Sequence, residues 1–208
     1  MDDDCCSIRG SRRAFVVRGD RRDRKDARGG IGPEGFKRGA SDFAELHPVG
    51  KKLNAAHRAI ADYQWESRTQ GRSVTLATQN IDDLHERGGS PQVAHLHGTL
   101  FATHCYAGCG YAVAHDVTPY DATPVCPRCG SWLRPSVVLF GEQLDVDAQM
   151  AARRAVRECE VSTAANLIRY ASDVGALLVT VDPTATVPEI FDVHVQLPAE
   201  DALPRILL

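Results

Sequence analysis

Two pairs of cysteines constrain what this chain of 208 residues can fold into. Three residues separate Cys105 from Cys109, two separate Cys126 from Cys129, and sixteen lie between the pairs. Four thiolates in two closely spaced pairs suit a tetrahedral zinc ion with no open coordination position, which is the arrangement of a structural metal. The alternative is four unrelated buried cysteines. The spacing predicts one zinc ion in a module spanning residues 99–135.

The composition fits a globular protein that keeps its cysteines reduced. Hydrophobic residues make up 43% of the chain, which is enough for a core, but no run of eighteen apolar residues predicts a membrane span. The first residues lack the basic and then apolar pattern of a secretory signal. Seven cysteines in such a chain indicate thiols or metal ligands rather than disulfides. We therefore expect a cytoplasmic protein with no membrane partner.

The first 45 residues differ from the rest of the chain. Residues 1–40 hold 11 Lys and Arg against 7 Asp and Glu, a net charge of +4, while the other 168 residues hold 13 against 20, a net charge of −7. A segment with so few apolar residues cannot bury enough surface to offset its ordering entropy. We expect residues 1–45 to be disordered or mistranslated, and a basic tail that binds nucleic acid is the alternative.

Predicted strands and helices alternate in the remainder. Helical periodicity covers residues 53–63, 148–159 and 164–173, and strands are predicted at 73–78, 137–140, 176–182 and 193–197. This alternation predicts an α/β fold built on a parallel, Rossmann-like sheet. The sheet domain would comprise residues 46–98 and 136–208, with the zinc module inserted between them.

Three further motifs carry polar groups or an exposed strand. The segment from Thr78 to His85 places amides and carboxylates at the end of a strand, where parallel sheets bind ligands, although such residues are also ordinary in turns. His97, followed by glycine, is a candidate general base or a structural histidine. The apolar run that ends at Gly141 and Glu142 can pair with a peptide strand or be a buried strand.

In this order, the segments TQNIDDLH, HLHG, Cys-x3-Cys, CPRCG and LRPSVVLFGE resemble the sirtuin (Sir2) family of NAD-dependent protein deacylases. The likeness covers residues 74–145, with weaker likeness at 54–57 and 162–208. It implies a Rossmann-like domain with an inserted zinc module. It also implies a transferase that uses NAD as co-substrate and one structural zinc ion. The acyl group of an acylated lysine, in a protein or peptide, passes to ADP-ribose as nicotinamide leaves, and no nucleic acid takes part.

The resemblance assigns a role to each motif. His97 matches the general base, which activates a hydroxyl of the ribose. The residues that match the NAD site are Gln79, Asn80, Ile81, Asp82 and, where the family has Asn, Asp182. The residues that match the peptide-binding strand are Val138, Phe140, Gly141 and Glu142. The zinc ligands are Cys105, Cys109, Cys126 and Cys129.

Two family elements have no match in the sequence. Nothing in residues 1–53 follows the glycine-rich pattern GAGxSxxSGIPxFR, which holds the NAD phosphates, and no strand ending in Gly-Thr-Ser lies near Glu160. Both belong to the cofactor site, so we expect weak NAD binding and marginal stability. The alternatives are a catalytically inactive zinc/NAD-fold binding protein derived from a sirtuin, or the product of a disrupted gene. A zinc ribbon that binds nucleic acid is a third.

Overall fold

The computed structural model describes residues 13–17, 52–118, 120, 123–139, 141–158, 171–173, 175–183 and 189–207. Its elements are β1 (Arg13–Val17), α1 (Ala55–Thr69), β2 (Leu76–Thr78), α2 (Leu84–Arg87), β3 (Val93–His95), β4 (Gly98–Cys105), β5 (Ala112–Val113), β6 (Leu133–Val137), α3 (Val146–Glu158), β7 (Leu177–Val181), β8 (Val193–Val195) and α4 (Ala199–Ile206). Across these ranges, every helix is too short or too polar to cross a bilayer.

Parallel strands form the frame of the larger domain. One sheet has the order β1-β7-β8 and another pairs β2 with β3, and every pair in both is parallel. Strand β7 lies in the middle and buries its last four residues, as a strand covered on both faces does. Helices α1 and α4 pack on it through Ala56, Ala59, Val181, Ala202, Leu203 and Leu207. This is the Rossmann-like α/β fold that the alternation predicted.

Strand β1 corrects the expectation for the first 45 residues. Residues 13–17 were expected to be disordered, but they pair with β7 in parallel register from Arg13 opposite Leu177 to Val17 opposite Val181. Four apolar residues between charged ones are too few for periodicity to predict a strand, and it is the long-range pairing with a buried strand that defines this one. The other residues of 1–45 lie outside the described residues.

Hydrogen bonds from helix α1 hold the segments that lead into β2 and β3. It begins after Asn54, whose side-chain oxygen accepts from the N–H of His57 at 3.2 Å, while the His57 ring accepts from the Asn54 N–H. This reciprocal capping satisfies two backbone donors at the start of the helix. Further along, the buried Gln64 amide donates to the carbonyl oxygens of Val74 and Gln92 at 3.3 and 3.0 Å. The two segments that lead into β2 and β3 are therefore tied to one helix.

The third sheet is antiparallel, with the order β5-β4-β6. Gly98 lies opposite Val137 and Cys105 opposite Leu133. The strand expected at 137–140 is therefore misplaced: β6 covers 133–137, because its pairing with β4 ends at Val137. Of the helix expected at 164–173, residues 171–173 are helical, and the remainder, with the region around Glu160, lies outside the described residues.

Candidate functional site

The four predicted cysteines come together at one end of the antiparallel sheet. All four Sγ atoms lie within 4.8 Å of one another. The Sγ atoms of Cys105 and Cys129 are 3.4 Å apart, and those of Cys109 and Cys126 are 3.6 Å apart. Zn–S bonds of about 2.3 Å in a tetrahedron place sulfurs roughly 3.8 Å apart. The donor set and its spacing fit a structural zinc ion.

Tight turns bring the sulfurs together. The N–H of Gly108 donates to the Cys105 carbonyl at 3.0 Å, and the N–H of Gly130 donates to the Cys126 carbonyl at 2.9 Å. Both glycines have a positive φ, at 67° and 74°, which side chains rarely adopt. The backbone N–H of Cys109 holds the pKa of the Cys105 thiol below its usual range. The pKa of Cys109 and that of Cys129 are raised in the same cluster, so the geometry of the four sulfurs, rather than their acidity, supports the metal site.

The turn after β2 presents polar groups at the carboxyl edge of the β2–β3 pair. Thr78 lies opposite His95 in register, so both strands end at the same edge. The side chains of Gln79 and Asn80 that follow are exposed. Asp82 is buried, and its carboxylate accepts from the N–H of Leu84 at 3.3 Å. The edge therefore offers two amides to a ligand.

His97 is held at this edge in a defined tautomer. Its Nδ1 lies 3.1 Å from the carbonyl oxygen of Gln79. Because a carbonyl only accepts hydrogen bonds, Nδ1 carries the proton in the neutral imidazole, and Nε2 keeps its lone pair. His97 is partly exposed. The arrangement therefore makes Nε2 an available base.

His95, two residues earlier, differs from His97 in its hydrogen bonds. Its Nδ1 lies 3.1 Å from the Asn80 carbonyl oxygen and its Nε2 lies 2.7 Å from a carboxylate oxygen of Glu86. Both partners accept, so this arrangement favours the cationic ring, in which both nitrogens donate. Burial lowers the pKa of His95, but the hydrogen bonds to Glu86 and Asn80 outweigh this and raise it. Of the two histidines in HLHG, His97 is therefore the one that can accept a proton.

Gly98 holds the backbone immediately after His97 in one conformation. Its φ is 72°, and a Cβ at this position would overlap the carbonyl oxygen of Ser136 on β6. On the other side of His97, the N–H of buried Leu96 donates to the Thr78 carbonyl at 2.9 Å. The backbone on both sides of His97 is thereby anchored to neighbouring strands.

The predicted peptide-binding segment begins beside His97. The N–H of Val138 donates to the His97 carbonyl at 2.9 Å, and the N–H of Glu142 donates to the Leu139 carbonyl at 3.0 Å. The second bond closes a turn whose third residue, Gly141, has a φ of 88°, as such turns commonly require. Phe140 lies outside the described residues. The structure thus brings Val138 to His97, and the roles of both residues and of Phe140 rest on the resemblance.

Asp182 lies on the other parallel sheet. It follows β7, is buried, and donates its N–H to the Val195 carbonyl at 3.2 Å. The ring Nε2 of His194 lies 3.0 Å from the Asp182 carbonyl oxygen. This places a buried carboxylate at the carboxyl end of the central strand, where open α/β sheets bind ligands.

Sequence reasoning missed two polar features near the site. Arg134 on β6 and Glu142 form an ion pair, and a buried arginine within an apolar strand is itself a signal that a partner exists. The rings of His57 and His85 lie 4.9 Å apart between α1 and α2. Burial, with a smaller contribution from His57, lowers the pKa of His85 to about 4. No motif in the sequence predicted this second pair.

A parallel α/β domain with an inserted four-cysteine module, and with polar groups at the carboxyl edge of its strands, belongs to the class of open α/β proteins that bind ligands at that edge. The model of the Sir2 family matches residues 28–165. The chain is 39% identical over 165 residues to a NAD-dependent protein deacylase of Ralstonia nicotianae, covering 74% of this chain and 65% of the relative. It is 37% identical over 187 residues to NAD-dependent protein deacylase 1 of Pseudomonas aeruginosa, covering 80% and 72%. The chain belongs to the Sir2 family.

Solved structures agree with this assignment. The crystal structure of a Sir2 homologue in complex with NAD superimposes with a TM-score of 0.76 at 27% identity, covering 94% of this chain and 87% of that one. The chain spans 65% of the length of the Ralstonia relative and also of a NAD-dependent protein deacylase of Corynebacterium glutamicum. The family match begins at residue 28, upstream of the boundary at 46 that composition suggested.

Proposed function

We propose that this chain is a NAD-dependent protein-lysine deacylase of the sirtuin type. The observation that carries the proposal is the hydrogen bond between His97 Nδ1 and the Gln79 carbonyl, which leaves Nε2 as a base beside the peptide segment. The relatives named as NAD-dependent protein deacylases support the same activity. They do not favour the alternative of an inactive binding protein.

The residues of the β2 turn fit the nicotinamide half of NAD. When bound, NAD supplies the ADP-ribose acceptor for the acyl group. The exposed amides of Gln79 and Asn80 offer donors and acceptors to a carboxamide and hydroxyls, with Ile81 and Asp82 completing the turn. Asp182 accepts from hydroxyls of the adenosine ribose. His97 Nε2 would take the proton of a ribose hydroxyl when that hydroxyl accepts the acyl group.

The acylated peptide would bind at the segment after β6. We assign Val138, Phe140 and Gly141 to its backbone contacts, with Glu142 in the same segment, because a peptide strand can bind along the edge at which β6 ends. The four-cysteine zinc site has no open position, so its role is structural. Paired thiolates persist in a reducing compartment, and the cytoplasm is the location we propose.

NAD binding and acyl transfer together test this proposal. Purified protein, shown to be folded and zinc-loaded, is titrated with NAD by calorimetry and then assayed on an acetyl-lysine peptide. We expect a saturable heat of binding and nicotinamide release that requires both NAD and the acylated peptide. Folded, zinc-loaded protein that binds no NAD and releases no nicotinamide would favour the inactive alternative. The unacylated peptide is the matched control.

A further inference from the structure

A bidentate ion pair joins β6 to Glu142, the last residue of the peptide segment. Arg134 Nη1 lies 2.6 Å from one carboxylate oxygen of Glu142, and Nη2 lies 3.0 Å from the other. The arginine side chain is 8% exposed and the glutamate side chain 29%. Parallel contacts of this kind fix the geometry of both partners as well as attracting them.

The same two side chains also hold the backbone between them. The second oxygen of Glu142 accepts from the N–H of Leu139 at 2.8 Å. Arg134 Nη2 donates to the Val137 carbonyl at 2.7 Å. With both carboxylate oxygens engaged by the protein, Glu142 acts on a substrate through Leu139 rather than by touching it. Arg134 lowers the pKa of Glu142, so the carboxylate remains ionised at neutral pH.

The neighbouring histidine does not compete for this carboxylate. His104 on β4 lies opposite Arg134 in register, and its Nδ1 is 2.9 Å from the Ser136 hydroxyl. The His104 ring is thus held by the Ser136 hydroxyl, and the hydrogen bonds to the Glu142 carboxylate come from Arg134 and from the Leu139 N–H.

We infer that Arg134 and Glu142 are positioning residues for the acylated peptide. They hold the backbone of residues 137–139 in the shape that places Val138 against His97 and presents the segment to a peptide strand. The inference rests on the proposed function and refines it, because the resemblance counts Glu142 among the residues that bind substrate. It predicts an effect on peptide recognition that is separate from NAD binding and from the base.

The test compares Glu142→Gln with Asp145→Asn in the full chain. Gln keeps the size of Glu but removes the charge that pairs with Arg134. Asp145 lies three residues further on and caps α3 through the N–H of Ala148 at 2.7 Å. We expect Glu142→Gln to raise KM for an acetyl-lysine peptide on the order of 10-fold to 100-fold, as for a misplaced contact. KM for NAD should stay within about 2-fold, and Asp145→Asn should leave both KM values unchanged.

Amide exchange supplies a readout that needs no activity. The Leu139 N–H donates to the Glu142 carboxylate, so hydrogen exchange at Leu139 should accelerate in Glu142→Gln. It should also accelerate in Arg134→Lys, because lysine cannot form the bidentate contact with Glu142. An inactive wild-type chain would refute the proposed function, while exchange at Leu139 would still decide the positioning role. Glu142→Gln protein that is folded and zinc-loaded, with wild-type exchange at Leu139 and wild-type peptide KM, would overturn the inference.

Discussion

The N–H of Val138 donates a hydrogen bond of 2.9 Å to the carbonyl oxygen of His97. This bond joins the proposed base to the first residue of the segment that we propose binds the peptide. The adjoining residues Gly98 and Val137 lie opposite each other in the β4–β6 pair. A change that moves either strand at this point therefore shifts His97 relative to that segment.

Replacing Gly98 tests this junction. Gly98→Ala combines a φ of 72° with overlap against the Ser136 carbonyl oxygen, and Gly71→Ala has a φ of 71° with no atom within 4 Å of the new Cβ. We expect a loss of about 1 kcal/mol in the free energy of unfolding for Gly71→Ala and more than about 3 kcal/mol for Gly98→Ala. Urea unfolding measures both. Equal losses would show that β6 yields to the added methyl group.

Removing the imidazole of His97 tests the base. His97→Ala should lower the rate of acyl transfer by a factor on the order of 10² to 10⁴ while NAD still binds. His115→Ala is the control, because His115 is exposed and its ring stacks on Phe101 in the zinc module. Full turnover by His97→Ala, measured as nicotinamide release, would assign the histidine a purely structural role.

The zinc site is tested by metal content. Cys126 is buried within the cluster, so Cys126→Ser should lose the metal together with folded structure. Cys159→Ser removes a thiol that belongs to neither cysteine pair and should keep about one zinc ion per chain. Atomic absorption on purified protein gives the ratio. Unchanged metal content in serine variants at all four cluster positions would contradict the assignment.

His85 on α2 and the partly buried His95 at the end of β3 should oppose each other in the pH dependence of stability. His85 has a folded pKa of about 4, below its unfolded value near 6.5, so the unfolded state binds more protons between these values. The free energy of unfolding should fall as the pH drops from about 6.5 to 4, by on the order of 3 kcal/mol.

Single substitutions at each histidine separate its contribution to stability from that of the other titratable groups. His85→Gln should flatten the fall. His95 has a raised pKa, so its stabilisation is fully present below about pH 6.5 and is lost as the pH rises through the folded pKa. His95→Gln should therefore leave the fall between pH 6.5 and 4 unchanged and remove the loss of stability that occurs as the pH rises above about 6.5. Urea denaturation from pH 4 to 8 compares the variants, and parallel curves for both would contradict the assigned pKa shifts.

Features carried by local pattern could be predicted from the sequence. Strand β7 is apolar except for Thr180, and the cysteine spacing predicted the cluster because each pair sits on a single turn. A motif likewise singles out His97, whose role as the base stays a prediction. The structure adds its tautomer, which depends on the carbonyl of Gln79, eighteen residues away.

Features that depend on distant partners could not be predicted. Strand β1 pairs with β7, more than 160 residues later, and the charged residues around its short apolar run favour disorder. The ion pair of Arg134 and Glu142 depends on a turn that brings its two ends together. Strand β6 ends at Val137 because its partner β4 begins at Gly98, opposite Val137. The apolar run in the sequence continues past this point and does not show where the pairing ends.

The pairing of Gly98 with Val137 has a consequence for how this fold tolerates change. The inserted module enters and leaves the larger domain at two facing residues, which in antiparallel pairs lie roughly 5 Å apart at Cα. Lengthening or shortening the far end of the module leaves Gly98 and Val137 paired. The loop-closure entropy also rises only slowly with added length. The module can therefore be exchanged for one of different size while the base and the peptide segment keep their separation.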